Sequence, residues 1–114
     1  GRFEHPVVAC LGLAFKPDVD DMRGSPALTI AEAVACTGID LVVCEPHIET
    51  LPPSLLNRPN VKKTGLRACL QTGNIILALV GHTAFSSIEK AWLARKTLID
   101  ACGLWRKNGA ISCG

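Results

Sequence analysis

The chain has 114 residues, 48% of them hydrophobic, and a formal net charge of +2. This length suits one domain with a single core. The 12 basic residues are too scattered for a nucleic-acid-binding surface. No apolar run reaches the roughly 20 residues that cross a bilayer, and the N-terminus has no signal-peptide pattern. We therefore expect a cytoplasmic protein with neither nucleic acid nor a membrane as partner.

The first half of the chain predicts two buried strands joined by a helix. Residues 7–15 (VVACLGLAF) form a continuous apolar run, which is typical of a strand covered on both faces. Ser25 and Pro26 suit the N-cap and first position of a helix that ends at Gly38. A second strand is predicted over residues 41–45 (LVVCE).

The second half continues the alternation with shorter elements. The proline-rich stretch 46–60 predicts an irregular loop with one turn of helix at 54–57. The elements predicted after it are a strand over 61–64, a helix over 66–72 stopped by Gly73, a strand over 74–80, a helix over 87–96 with Ile88, Ala91 and Trp92 inward, and a strand over 97–102. This order is typical of an α/β fold, a three-layer, doubly wound (Rossmann-like), mostly parallel sheet.

In such sheets, ligands bind beyond the carboxyl ends of the strands, where strand order reverses. The segments expected at that edge are residues 15–23, 45–47, 81–85 and 100–106. The first of them leads into a helix N-terminus, which attracts anions, and Lys16 and Arg23 add full positive charges. One hypothesis is a phosphorylated ligand. The other is that three aspartates, Asp18, Asp20 and Asp21, neutralise the two cations in a solvated loop.

Other kinds of site have less support from the sequence. The adjacent acids resemble the magnesium site of a phosphorylation receiver domain, but the strand 74–80 leads into Gly81 and His82 without the required aspartate. No GxGxxG follows a strand, so the usual dinucleotide phosphate loop is absent. His82 is the best placed of three histidines for a base, although loop histidines are usually polar surface. We predict no metal site and no catalytic residue.

The six cysteines are Cys10, Cys36, Cys44, Cys69, Cys102 and Cys113. They show no CxxC spacing, and most lie within apolar segments. We expect them to be small buried hydrophobic residues in a reducing compartment rather than disulfide partners or metal ligands.

The segment GLAFKPDVDDMRGSPA (residues 12–27) resembles the motif G-x-x-F-K-x-x-x-D-D-x-R-x-S-P of the UDP-glucose/GDP-mannose dehydrogenase family. Counterparts of VCEPHIETLP, LALVGHTAF and DACGLWR follow in the same order. Family members oxidise the C6 alcohol of a nucleotide sugar to a carboxylate in two NAD-dependent steps. The EP-x-I-x-x-LP segment is similar to the branch that acts on UDP-N-acetyl-mannosamine.

The resemblance implies roles for particular residues. Phe15 and Lys16 match positions that contact the nucleotide sugar, and Arg23 matches an arginine that reaches toward NAD in a neighbouring domain. Asp20 and Asp21 match an acid pair that we expect to orient the two cations.

Two positions depart from the family pattern. Gly24 stands where the family usually has a glutamate at the helix entrance. Cys102 stands where a cation contacts the substrate, and Arg106 is the candidate to supply that contact instead.

The family's nucleophilic cysteine and catalytic lysine lie in a central domain, and its NAD is bound mainly by an N-terminal domain. Neither segment has a counterpart here. The resemblance therefore implies that residues 1–114 are the C-terminal UDP-binding domain of a larger NAD-dependent UDP-sugar 6-dehydrogenase, inactive when alone. Its partners would be the UDP-sugar and the other domains, in a parent enzyme that is a homodimer or higher oligomer. The alternative is a non-catalytic binding or interaction module that kept the fold and lost the ligand.

Overall fold

The computed structural model describes residues 5–107, with side chains to residue 105. The strands are β1 (Val7–Leu11), β2 (Asp40–Cys44), β3 (Val61–Lys63), β4 (Ile75–Ala78) and β5 (Thr97–Asp100). They pair in parallel in the order β3-β2-β1-β4-β5. The helices are α1 (Pro26–Cys36), α2 (Pro53–Leu56), α3 (Leu66–Thr72) and α4 (Leu104–Lys107), with 3₁₀ segments at Thr83–Ser87 and Lys90–Leu93. The predicted doubly wound parallel sheet is confirmed.

Apolar clusters cover both faces of the sheet, giving three layers. One face packs against α1 and α2, and the other against α3, α4 and the 3₁₀ segments. Successive residues of β1 alternate between the clusters, with Cys10 in the first and Leu11 in the second. This double burial explains why the strand reads as a continuous apolar run. Among the described residues, no helix is long and apolar enough to cross a membrane.

Helix α1 forms where its end signals predict. Ser25 is the N-cap, and its Oγ accepts the N–H of Leu28 at 3.2 Å. The same hydroxyl donates to the Leu13 carbonyl at 2.7 Å, which ties the helix start to the segment after β1. The helix ends at Cys36, just before Gly38 with its φ of 87°. The short helix at 66–72 is confirmed as well, capped by Gly73.

Strand β1 is shorter than the predicted 7–15. It ends at Leu11 because Gly12 takes a φ of 96°, which turns the chain out of the sheet. A Cβ at this glycine would lie 2.6 Å from the Cβ of Val80, so no larger residue fits the turn. The next two backbone N–H groups then bond to a side chain rather than to a strand.

The helix predicted over 87–96 is wrong. Ile88 and Glu89 are extended and separate two 3₁₀ segments. Phe85 and Leu93, one from each segment, are both buried in the same apolar cluster, whereas Ala91 is exposed. Ile88 and Trp92 are partly buried against that cluster. Packing of these large side chains outweighs the helical pattern.

Candidate functional site

Strand order reverses between β1 and β4, and a cleft of about 290 Å³ opens at their carboxyl ends. It is lined by residues 14–17, 26–27 and 79–81 and by Cys102. Three of the four segments predicted at this edge contribute to the lining. The fourth, residues 45–47, lies behind it and supports the chain that forms it.

Phe15 and Lys16 lie together in this cleft, beside the first turn of α1. Phe15 is 56% exposed and so presents apolar surface to solvent at the cleft. No acidic side chain lies in the first turn of α1. Within residues 5–105, no carboxylate lies within ion-pair distance of Lys16. An exposed ring and an uncompensated cation therefore meet at a helix N-terminus.

Arg23 lies on the same connection but does not line the cleft. Its Nε and Nη2 donate to the two carboxylate oxygens of Asp21, each at 3.1 Å. These hydrogen bonds hold the pKa of Asp21 below its usual value and raise that of Arg23. The Arg23 side chain is still 92% exposed. Asp21 thus orients Arg23, whereas Asp20, also exposed, makes no described bond to either cation.

Glu45 is fully buried at the end of β2 and accepts four hydrogen bonds. Its Oε1 accepts the N–H groups of Leu13 at 2.8 Å and Ala14 at 3.1 Å. His82 Nε2 lies 2.8 Å from the same oxygen, and Oε2 accepts the His47 N–H at 3.1 Å. Burial raises the pKa of Glu45, but hydrogen bonds from Leu13, His82 and His47 outweigh it, leaving this pKa below its usual value.

His82 is also fully buried, and its ring joins Glu45 to Asp18. The N–H of Asp18 donates to His82 Nδ1 at 2.8 Å. In return the Asp18 carboxylate accepts the N–H of Thr83 at 2.7 Å and its hydroxyl at 2.6 Å. These bonds from Thr83 lower the pKa of Asp18. The connection after β1 and the one after β4 are therefore fastened to each other.

Asp18, His47 and His82 are the described residues closest to a metal-ligand set, with candidate atoms within 4.8 Å of one another. The nearest oxygen of Asp18 lies 3.9 Å from both His47 Nε2 and His82 Nδ1. The single Nδ1 lone pair of His82 already accepts the Asp18 N–H, so metal binding would break that bond. The arrangement fits a hydrogen-bonded cluster better than a metal site.

The family described as "UDP-glucose/GDP-mannose dehydrogenase family, UDP binding domain" matches residues 9–107. The chain belongs to this family. The match spans the cleft and the Glu45–His82 pair behind it.

Curated relatives agree with this assignment. The UDP-N-acetyl-D-mannosamine dehydrogenase of Yersinia pestis is 38% identical over 100 residues, covering 87% of this chain and 23% of that protein. The NDP-N-acetyl-D-galactosaminuronic acid dehydrogenase of Ralstonia nicotianae is 37% identical over 105 residues, covering 91% of this chain and 24% of that protein. The chain thus spans about a quarter of the length of these relatives.

A solved structure has the same fold. The crystal structure of NDP-N-acetyl-D-galactosaminuronic acid dehydrogenase from Methanosarcina mazei Go1 superposes with a TM-score of 0.62 at 28% identity. The superposition covers 76% of this chain and 17% of that one.

The departure from the family pattern at Cys102 places a thiol on the cleft wall. Burial raises the pKa of Cys102, so the group is uncharged at neutral pH. Asp100, at the end of β5, accepts the N–H groups of Leu104 at 2.9 Å and Trp105 at 3.0 Å and so starts α4. The side chain of Arg106, the candidate substitute for the missing cation, lies outside the described residues.

The expectation of buried cysteines is confirmed at Cys10, Cys44 and Cys69, whose thiols have a raised pKa. Desolvation takes the pKa of Cys44 to about 11 and that of Cys69 to about 12. Cys36 is exposed, contrary to this expectation, and Cys102 is partly buried. No disulfide joins these five described residues, and Cys113 lies outside the described part of the chain.

The buried Glu45–His82 pair was not predicted. His82 was expected to be polar surface because it follows a strand in a loop, yet it is fully buried. One signal was available, since Glu45 directly follows β2 and His82 lies four residues after the end of β4, and these are the two strands that flank β1. The hydrogen bond between them joins residues that lie 37 positions apart, which no local pattern encodes.

Proposed function

We propose that the chain binds the nucleotide part of a UDP-sugar in the cleft between β1 and β4, as the UDP-binding domain of a larger NAD-dependent UDP-sugar 6-dehydrogenase. The observation that carries this proposal is the placement of Phe15 and Lys16 together at the N-terminus of α1, with no carboxylate among the described residues to neutralise the lysine. A diphosphate gains from both the cation and the helix N-terminus.

The size of the cleft fits part of such a ligand. Its 290 Å³ is at the lower end of the range for small-molecule sites, so the sugar would extend beyond this domain. Phe15 offers a flat apolar surface to the nucleoside, and Lys16 a charge to the phosphates or sugar hydroxyls. Arg106 remains the candidate for a further contact, in place of the family's cation at the position of Cys102.

The missing three-quarters of the relatives' length would supply the NAD-binding and catalytic domains. NAD would accept the two hydrides there, and Arg23, exposed and oriented by Asp21, would reach toward it across the cleft between domains. This chain's residues bind and orient the substrate and close over it, which shields the reacting sugar from water.

The name of the Yersinia pestis relative and the EP-x-I-x-x-LP segment support UDP-N-acetyl-mannosamine as the substrate and its uronic acid as the product. We propose a cytoplasmic parent enzyme that is a homodimer or higher oligomer.

Calorimetric titration of the chain with UDP tests the proposal. Charge-assisted hydrogen bonds contribute about 1.5–3 kcal/mol, so Lys16→Ala is expected to weaken binding by about 10-fold or more. Lys62→Ala is the matched control, because this exposed lysine lies with Val7 and Asp40 at the opposite edge of the sheet. Equal losses in the two variants would contradict the role of Lys16. Absence of binding by the wild-type chain would favour a module that has lost its ligand.

A further inference from the structure

We infer that His82 is a positioning residue for the connection 13–18, which carries Phe15 and Lys16, and that Glu45 sets the tautomer in which it acts. The inference rests on the proposed UDP site, since that site gives the connection its function. Neither residue lines the cleft. They act on the ligand only through the backbone that presents the two contacting side chains.

The pair holds residues 13–18 at both ends. Glu45 accepts the N–H groups of Leu13 and Ala14 before the contacting side chains, and His82 accepts the N–H of Asp18 after them. The N–H of Phe15 donates to the Asp21 carbonyl at 2.7 Å, and Pro17 has none to donate. Only Phe15, Lys16 and Pro17 lie between the two anchors, so a shift of either anchor moves Lys16.

The hydrogen-bond directions determine the state of His82. Nδ1 faces a backbone N–H, so it carries no proton and accepts. A neutral imidazole has one donor and one acceptor, which places the proton on Nε2. Nε2 lies 2.8 Å from Glu45 Oε1, and a carboxylate only accepts. Glu45 thus selects the one neutral tautomer that leaves Nδ1 free to hold Asp18.

Asp18 shows why an anchor is needed there. Its φ of 62° lies in the left-handed region, which residues other than glycine adopt infrequently. This conformation is held because the N–H of Asp18 bonds to His82 and its carboxylate bonds to Thr83, the residue that follows His82. Removing the acceptor on His82 lets Asp18 relax toward a commoner conformation and changes the path of the chain at Lys16.

Two variants separate the two ring nitrogens. In His82→Gln, the side-chain amide N–H reaches the place of Nε2 and still donates to Glu45, but nothing accepts the Asp18 N–H. In His82→Asn, the carbonyl oxygen takes the place of Nδ1 and accepts from Asp18, but no group reaches Glu45. Both variants lose one buried hydrogen bond and some packing, so a merely structural role would affect them alike.

The measurements are UDP affinity by calorimetry and exchange of the Asp18 backbone amide by NMR. Loss of one hydrogen bond predicts that His82→Gln weakens UDP binding about fivefold or more and speeds Asp18 amide exchange at least about tenfold. His82→Asn should stay within about twofold of wild type in both measurements. Equal effects of the two variants, or wild-type behaviour of His82→Gln, would overturn the inference.

Two controls keep the test decisive. If the wild-type chain does not bind UDP, the proposed function fails, but Asp18 amide exchange without ligand still tests the anchoring by His82. If a variant does not fold, the ¹⁵N spectrum of wild-type His82 decides. A proton on Nε2 and a protected Asp18 amide support the inference, and a proton on Nδ1 refutes it.

Discussion

Replacing Glu45 by glutamine keeps the shape of the side chain and removes its charge, so it isolates what the buried carboxylate contributes to stability. Four donors point at this carboxylate: the N–H groups of Leu13, Ala14 and His47 and the Nε2 of His82. The glutamine oxygen can retain the three donors on Oε1, as weaker neutral bonds. The glutamine NH₂ group then faces the His47 N–H. Both groups are donors, so the His47 N–H loses its acceptor.

The magnitude follows from these contacts. A hydrogen bond to a charged group contributes about 1.5–3 kcal/mol and a neutral one about 1 kcal/mol, and an unsatisfied buried donor costs about 1–3 kcal/mol. The orphaned N–H and the three weakened bonds together cost at least about 2.5 kcal/mol. The neutral amide no longer carries the desolvation penalty of the buried charge, which offsets part of this cost, so we expect a net loss of about 2–4 kcal/mol for Glu45→Gln. For a domain of this size, that loss lowers the melting temperature by roughly 10–25 °C.

The effect of pH has a definite sign. Because the folded state lowers the pKa of Glu45, ionisation of this group stabilises the fold above the unfolded pKa, near 4.3. That stabilisation disappears as pH falls through the folded pKa. Asp18, Asp21 and Asp100 also have lowered pKa values, but they are present in wild type and variant and cancel in the difference. The variant's deficit should therefore shrink below about pH 4.

Urea unfolding followed by circular dichroism at pH 7 and pH 3 measures this difference. Glu49→Gln is the matched control, because Glu49 is an exposed glutamate four residues away and its loss should change the free energy of unfolding by less than about 0.5 kcal/mol. A deficit for Glu45→Gln as small as the control's, or one that is the same at both pH values, would refute the reasoning.

Three further predictions address the turn, the thiols and the cleft. Gly12→Ala should lower the free energy of unfolding by about 2 kcal/mol or more, and Gly38→Ala by about 1 kcal/mol. Both glycines have a positive φ, but only at Gly12 would an added Cβ meet neighbouring atoms. Equal losses of stability in urea unfolding would contradict this. Alkylation at pH 8, mapped by mass spectrometry, should modify the exposed Cys36. Cys69 is buried and has a pKa of about 12, so it should stay unmodified until denaturant is added. Equal rates of modification would show that Cys69 is accessible. Cys102→Lys adds a cation to the cleft wall and should tighten UDP binding several-fold. Cys102→Ser is the uncharged control and should not tighten it. A similar effect of the two variants would exclude charge as the cause.

The elements that the sequence predicted well are those whose signals are local. Double burial makes β1 a continuous apolar run, and Ser25 with Pro26 starts α1 by bonds within one turn of the chain. Gly73 likewise ends α3 at the predicted residue. Such signals depend only on near neighbours, so they can be read without knowing the fold.

The elements that the sequence predicted poorly depend on distant contacts. The end of β1 is set by the approach of Gly12 to Val80, and the 3₁₀ segments by burial of Phe85 and Leu93 against the sheet. For the candidate site, the family motif drew attention to Phe15 and Lys16, and the structure places both in one cleft. The motif at residues 12–27 gave no indication of the buried Glu45–His82 pair behind them, because that pair forms only when β2 and β4 flank β1.

The distribution of charge after β1 bears on the two hypotheses for the segment 15–23. Simple neutralisation requires the aspartates to form ion pairs with both cations, but in the described part of the chain only Arg23 has such a partner. The Asp21 carboxylate accepts hydrogen bonds from Arg23, and both carboxylate oxygens of Asp18 accept hydrogen bonds from Thr83. Among the described residues, neither acid comes within ion-pair distance of Lys16. The acids therefore fix the conformation of the connection and leave its one cleft-lining cation available, which is the arrangement that an anionic ligand requires and a merely solvated loop does not.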